Sequence, residues 1–138
     1  MADKSPEPAL RDIVDAIARI QSKMDGVSLT TFEADWERRW LVERGAEIVS
    51  EARRRLPDEL KERHPEIPWK QIAGIGNILR HGYDAVSPRV MWNVARNDLV
   101  PLERACRAEL TREIAAQALA SPAATQIPTV GDNDEKEC

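Results

Sequence analysis

Apolar residues recur along most of this chain at intervals of three and four, the spacing of one face of an α-helix. Leu10, Ile13, Val14, Ile17, Ile20 and Met24 form the first stripe and predict a helix over roughly 6–24. Asp25-Gly26 closes it, glycine being the usual residue just past a helix end. Ser28 to Thr31 supplies capping side chains, and Thr30 or Thr31, with Glu33 and Asp35 behind, suits a second start. From there the pattern predicts one long helix to about 56. Trp36, Trp40, Leu41, Ile48, Val49, Ala52 and Leu56 form its apolar side, with Arg38, Arg39, Arg53 and Arg54 mostly off it. Pro57 stops that helix, and residues 58–63 predict one short turn.

His64-Pro65-Glu66-Ile67-Pro68 reads as a loop, because each proline biases its predecessor away from helical angles. Pro68 suits the first position of a helix over about 68–83. Its stripe is Ile72, Ile75 and Leu79, flanked by Trp69 and Ile78. Gly74 and Gly76 inside it cost about 1 kcal/mol each relative to alanine. The simplest compensation is close backbone approach by a neighbouring helix. No strand precedes this G-x-G and no third glycine follows at the right spacing, so it is not a dinucleotide fingerprint. Ser87-Pro88 is another start, serine as cap and proline in the first turn. Val90, Met91, Val94, Leu99 and Leu102 continue the stripe to about 119. Pro101 is expected to kink or restart this helix, with Asn97 or Asp98 capping the second piece. Ser121 to Cys138 is polar and aperiodic and reads as a disordered acidic tail. With no strand alternation anywhere, the class is all-α. Short loops imply an antiparallel bundle of four to five helices in one domain over 1–120.

Composition adds little to the fold and more to the function. The chain has 138 residues, enough for one self-sufficient core. No window approaches a membrane span, and the N-terminus has no apolar signal region. Two cysteines, Cys106 and Cys138, and two histidines make a disulfide framework or a zinc site a poor expectation. A cytoplasmic protein without metal or cofactor is expected. Cys106 reads as a small buried residue, and His64 as a loop residue without a catalytic part. Charge is segmental: residues 1–37 carry a net −4, 38–112 a net +4 and 113–138 a net −4. Arginines dominate the basic middle, and arginine suits planar phosphate contacts. Arg53, Arg54 and Arg55 with the helix around Arg80 could line an RNA groove; the plainer alternative is a solvated helix face. Trp36, Trp40, Trp69 and Trp92 read as core or dimer-interface anchors rather than base-stacking platforms.

Chemistry concentrates at Asn77, Arg80, His81, Gly82, Tyr83 and Asp84. Asn77 and His81 are one turn apart and share a helix face. Histidine can act as general acid or base near neutral pH, and arginine can stabilise charge developing on phosphate. The plainer alternative makes His81 and Tyr83 ordinary helix-end residues.

The run Pro65 to Gly74, then Asn77 to Asp84, Val90-Met91-Trp92 and Asn97-Asp98-Leu99 resembles the HepT-like family of the HEPN superfamily. The likeness extends to Leu10–Ile20 and to Glu47–Val49 with Glu51-Ala52, about 10–112 in all. It implies an all-α homodimer serving as the toxin of a type VII toxin–antitoxin pair. The implied activity is metal-independent RNA cleavage. The implied partner is an MntA-like nucleotidyltransferase that silences the toxin by transferring AMP to a motif tyrosine. The family motif opens with Arg-Asn, then a histidine, one residue and a tyrosine. Asn77, His81 and Tyr83 match it, and Gly76 stands where the arginine belongs.

At about 100° per residue, position 76 lies roughly 140° from His81, and Arg80 roughly 100° away on the other side. Arg80 would then serve in a site completed across a dimer axis. On this reading His81 is the acid/base for attack of a ribose 2′-OH on the adjacent phosphate, Arg80 neutralises the developing charge, and Asn77 orients the phosphate or the histidine. Tyr83 is the AMP acceptor. Two other classes compete: a catalytically impaired dimer that binds a nucleotidyltransferase, which Gly76 favours, and a plain nucleotide-binding helical module. The latter lacks a phosphate-cradling loop.

Overall fold

Each apolar stripe becomes a helix, but one predicted helix is divided. The computed structural model describes residues 5–81 and 86–120. Helix α1 spans Glu7–Met24 and buries Leu10, Ile13, Ile17, Ile20 and Met24. Gly26 then adopts φ +71°, a left-handed angle that favours glycine. Helix α2, Leu29–Ala34, starts at Ser28, whose Oγ accepts from Thr31 N at 3.1 Å.

The expected long helix to 56 is interrupted at Asp35. Its backbone leaves helical angles (φ −107°, ψ 90°), and its carboxylate accepts from Arg38 N at 3.0 Å. That is an N-cap, and it opens α3, Trp36–Arg53. The break lets Phe32 drop fully into the core and turns Trp36 and Trp40 outward, to 53% and 63% exposure. These two tryptophans are therefore not core residues, contrary to their place on the predicted stripe. They pack edge to face, ring centroids 4.9 Å apart. Trp69 and Trp92 are half-buried, and each indole N–H donates to backbone carbonyls: Trp69 to Lys61 and His64, Trp92 to Val27.

Helix α4, Asp58–Glu62, is the predicted short turn and buries Leu60. Helix α5, Trp69–His81, follows directly after Pro68, whose carbonyl accepts from Ile72 N at 3.1 Å. Positions 82–83 of the predicted helix lie outside the described residues. Helix α6, Pro88–Asn93, is capped by Ser87 as expected. It runs through a π-helical turn, Val94–Asp98, into α7, Leu99–Ala120. Pro101 cannot donate to the carbonyl four residues back. The helix absorbs this by widening just before it, Leu99 N–H reaching Val94 O in the five-residue bond of a π turn. Asn97 caps no second piece; its Nδ2 donates to Asn93 Oδ1. The acidic tail from 121 lies outside the described residues.

Cross-contacts give the directions. Lys23 O accepts from Arg38 and Asp12 pairs with Arg55, so α1 and α3 are antiparallel. Met24 O accepts from Arg96 while Ser5 donates to Glu113, so α1 and the α6–α7 rod are antiparallel too. Helix α5 packs on the other side of α3. The result is an all-α bundle, with no strand among the described residues. No described helix is long and apolar enough to cross a membrane. Cys106 is buried, and burial pushes its thiol up to about 12, so it is not a nucleophile.

His64 has a structural task. Glu109 of α7, a buried carboxylate, accepts from Arg63 at 2.7 and 3.2 Å and pairs with His64 Nε2 at 2.6 Å. This clamp ties the loop before α5 to α7. The bond from Arg63, and secondarily that from His64, holds the Glu109 carboxyl below its usual range although burial opposes this. A carboxylate with a depressed folded pKa stabilises the fold above its unfolded pKa, about 4.3, and loses that contribution as pH falls through the folded value. Glu109→Gln should cost about 2 kcal/mol at pH 7 in urea unfolding. The gap to wild type should close below the folded pKa of Glu109, and a gap unchanged down to pH 2 would contradict this role.

Candidate functional site

Helix α5 presents two faces. Ile72, Gly76 and Leu79 point inward, while Asn77, Arg80 and His81 are exposed. Taking position 76 as zero, Arg80 sits at about 40°, Asn77 at about 100° and His81 at about 140° around the axis. The three candidates therefore share one arc, with Asn77 between the other two. Arg80 and position 76 lie on the same side of His81. The sequence-based expectation that they flank it from opposite sides is incorrect.

Gly76 is where α5 meets α3. A Cβ there would stand 2.5 Å from Ser50 Cβ and 2.1 Å from Ser50 Oγ. Ser50 is itself buried. No side chain fits between the two helices at this level, so the glycine is a packing requirement, though what it meets is the Ser50 side chain and not the expected neighbouring backbone. Gly74, by contrast, has nothing within 4 Å. The same construction puts Arg80 Nη1 3.2 Å from the Cβ position of residue 76. The Arg80 side chain thus folds back one turn, as helical side chains do, and its guanidinium covers the glycine.

The end of α3 borders this arc at Arg53, which is followed by Arg54 and Arg55. Arg54 pairs with Glu51 at 3.3 Å and Arg55 with Asp12 at 2.8 Å, both on the exposed surface. These two follow the solvated reading. Arg53 is half-buried, and its Nε is a buried donor without a hydrogen-bond partner among the described residues. Leaving such a donor unsatisfied costs about 1–3 kcal/mol. Burial pushes the Arg53 pKa down. The charges of Arg54 and Arg80 do the same, and Glu51 opposes them. Arg80 is thus a cationic neighbour of Arg53. Neither forms an ion pair among the described residues. The sequence reading grouped all three arginines together. The separating signal was present, since Arg53 follows the buried Val49 by one turn and Arg54 does not.

On its other side His81 is bordered by apolar surface. Ile78 and Val90 are half exposed and line a shallow groove with Ile75, Val86 and Met91. Tyr83, Gly82 and Asp84 lie outside the described residues. No group of three potential metal ligands occurs among the described residues.

Residues 13–109 match the family profile described as "Ribonuclease HepT-like". A protein from Caldanaerobacter subterraneus subsp. tengcongensis, provisionally named an RNase, is 32% identical over 110 residues, covering 80% of this chain and 98% of the relative. "Probable ribonuclease HepT" from Thermococcus cleftensis is 33% identical over 100 residues, covering 72% and 91%. A Methanocaldococcus jannaschii protein, also provisionally named an RNase, is 25% identical over 104 residues, covering 75% and 95%. No solved structure gives a significant match.

The contact at Gly76 makes a stability prediction. Gly76→Ala gains about 1 kcal/mol of helix propensity but overpacks the seam, at a cost of about 1–3 kcal/mol. Net destabilisation is expected in urea unfolding. Ser50→Gly should be less costly in the Gly76→Ala background than in wild type, a coupling of about 1 kcal/mol. Strictly additive effects would mean that the helices do not meet there.

Proposed function

Because the chain belongs to the ribonuclease HepT-like family, we propose that it is a metal-independent endoribonuclease working from the Arg80–Asn77–His81 face of α5. The observation that carries this reading is the Arg80 guanidinium lying over Gly76. Gly76 departs from the family motif by lacking an arginine side chain. Arg80 brings a guanidinium to the same side of the helix from one turn further on.

His81 takes the proton of a ribose 2′-OH as that oxygen attacks the adjacent phosphorus. The bond from phosphorus to the 5′-oxygen breaks, and the leaving oxygen receives a proton from the protonated His81, directly or through water. Arg80 offsets the charge that builds on the phosphate oxygens, and Asn77, between them, orients the phosphate or the imidazole. The products are a 2′,3′-cyclic phosphate and a 5′-OH. Single-stranded RNA is the substrate class, since its 2′-OH and phosphate groups are accessible.

The chain acts as a toxin, a homodimer in the cytoplasm, silenced by an MntA-like nucleotidyltransferase that moves AMP from ATP to Tyr83 with release of pyrophosphate. The added charge and bulk would repel an RNA phosphate, as a phosphoryl group would. The exposed Trp36–Trp40 pair supports an interface, because contiguous exposed aromatic surface marks contact sites.

Purified protein in EDTA should cleave RNA and leave 2′,3′-cyclic ends. His81→Ala should reduce the rate by about 10²–10⁴ and Arg80→Ala by about 10²–10³. Products with 3′-OH ends, or a strict Mg²⁺ requirement, would reject the chemistry. A folded dimer that does not cleave would leave the chain as a binding partner of the nucleotidyltransferase, with Gly76 as the cause. For regulation, intact mass after incubation with ATP and a nucleotidyltransferase encoded beside this chain should rise by AMP units. Added mass that survives Tyr83→Phe would contradict the assignment.

A further inference from the structure

We propose that Arg53 of α3 is a substrate-binding residue that, with Arg80, forms a subsite for an RNA backbone phosphate at the α3–α5 seam. The proposal rests on the ribonuclease reading for its substrate but on separate observations for its site.

Three observations converge. Arg53 Nε is buried and without a hydrogen-bond partner among the described residues, so a donor is held out of water with no acceptor supplied by these parts of the chain. Its flanking arginines are satisfied by Glu51 and Asp12, which leaves Arg53 as the member of the run not neutralised in this way. The contact of Gly76 with Ser50 then fixes where it sits. Arg53 lies three residues beyond Ser50 and Arg80 four beyond Gly76, and helical side chains lean toward the N-terminus of their own helix. Both guanidinium groups therefore incline toward the level of that helix contact, one from each side of the seam.

Two neighbouring cations, neither in an ion pair among the described residues, repel each other, and an anion between them relieves this. A phosphate offers oxygens to both, in the fork geometry that arginine matches. On α5, Arg80 lies between His81 and the α3 seam, so a phosphate at Arg53 is on the far side of Arg80 from the histidine. This is a positioning contact on the RNA strand and not a proton-transfer group. Losing it should weaken RNA binding and leave the chemical step largely intact.

Arg53→Gln should raise KM about tenfold, as expected for one charge-assisted hydrogen bond, with kcat nearly unchanged. The slope of log affinity against log salt should fall by about one. Arg53→Lys keeps the stem and the charge but lacks Nε. It should keep the salt slope and still bind more weakly, and thermal unfolding of both variants checks that they fold. The direct readout is the Nε–H NMR signals of the full chain titrated with inorganic phosphate and with a nucleoside 3′-monophosphate. The Arg53 signal should shift and exchange more slowly, and Arg80 should respond with it. If ligand shifts His81 while Arg53 stays still, or if Arg53→Gln leaves KM and salt slope unchanged, the subsite is refuted and the ribonuclease reading stands. If Arg53 responds to phosphate but wild type cleaves no RNA, the subsite holds and the ribonuclease reading fails.

Discussion

The candidate site depends on a missing Cβ. At Gly76 two helices approach so closely that a methyl group would collide with Ser50. This contact settles the height and rotation of α5 on α3. It thereby places Asn77, Arg80 and His81 on one open arc and sets Arg53 at its border. It also bears on what can stand at position 76. An arginine there would begin with a Cβ inside Ser50, so the seam as built excludes it. Arg80, one turn on, reaches the same space from outside the packed contact.

The rest of the fold serves this seam by holding α5 at its other end. The loop before α5 is anchored through Arg63 and His64 on the buried Glu109, and the Trp69 indole donates to carbonyls of the preceding turn. Elsewhere charge is spread over exposed pairs such as Arg11–Glu7, Arg19–Asp15 and Arg107–Glu103. Such pairs contribute about 0–1 kcal/mol each, and their main effect is to neutralise the surface. Arg53 differs in having a buried Nε without a hydrogen-bond partner among the described residues, with the Arg80 charge nearby.

Much of this was legible in the sequence because its signals are local. The stripe of α1, the Ser87-Pro88 start, the stop at Pro57 and the short turn after it all follow from residues within a few positions. The unusual cost of Gly76 pointed to a close neighbour, though not to Ser50. What was not legible is relational. Thr30 and Thr31 looked as good a cap as Asp35, and only burial of Phe32 makes the second break worthwhile, turning Trp36 and Trp40 outward. Pro101 announced a disturbance but could not say that a π turn would absorb it. Glu109 gave no signal, because its partners lie more than forty residues away. The spacing of Asn77, Arg80 and His81 puts them on one exposed arc of α5, but the side on which Arg80 stands was misplaced. Four residues of helix bring it back over Gly76, whereas the sequence reading set it on the far side of His81.

The claim that most needs testing is that the Arg80 guanidinium supplies the charge that position 76 lacks. Chemical rescue tests it directly. Single-turnover RNA cleavage in EDTA is measured for Arg80→Ala and for His81→Ala, with and without millimolar guanidinium ion. The account predicts that guanidinium restores part of the lost rate in Arg80→Ala and none in His81→Ala, because only the first variant leaves a guanidinium-shaped space beside an intact acid/base. Wild-type rates in Arg80→Ala, or no rescue of a folded, slow Arg80→Ala, would contradict it.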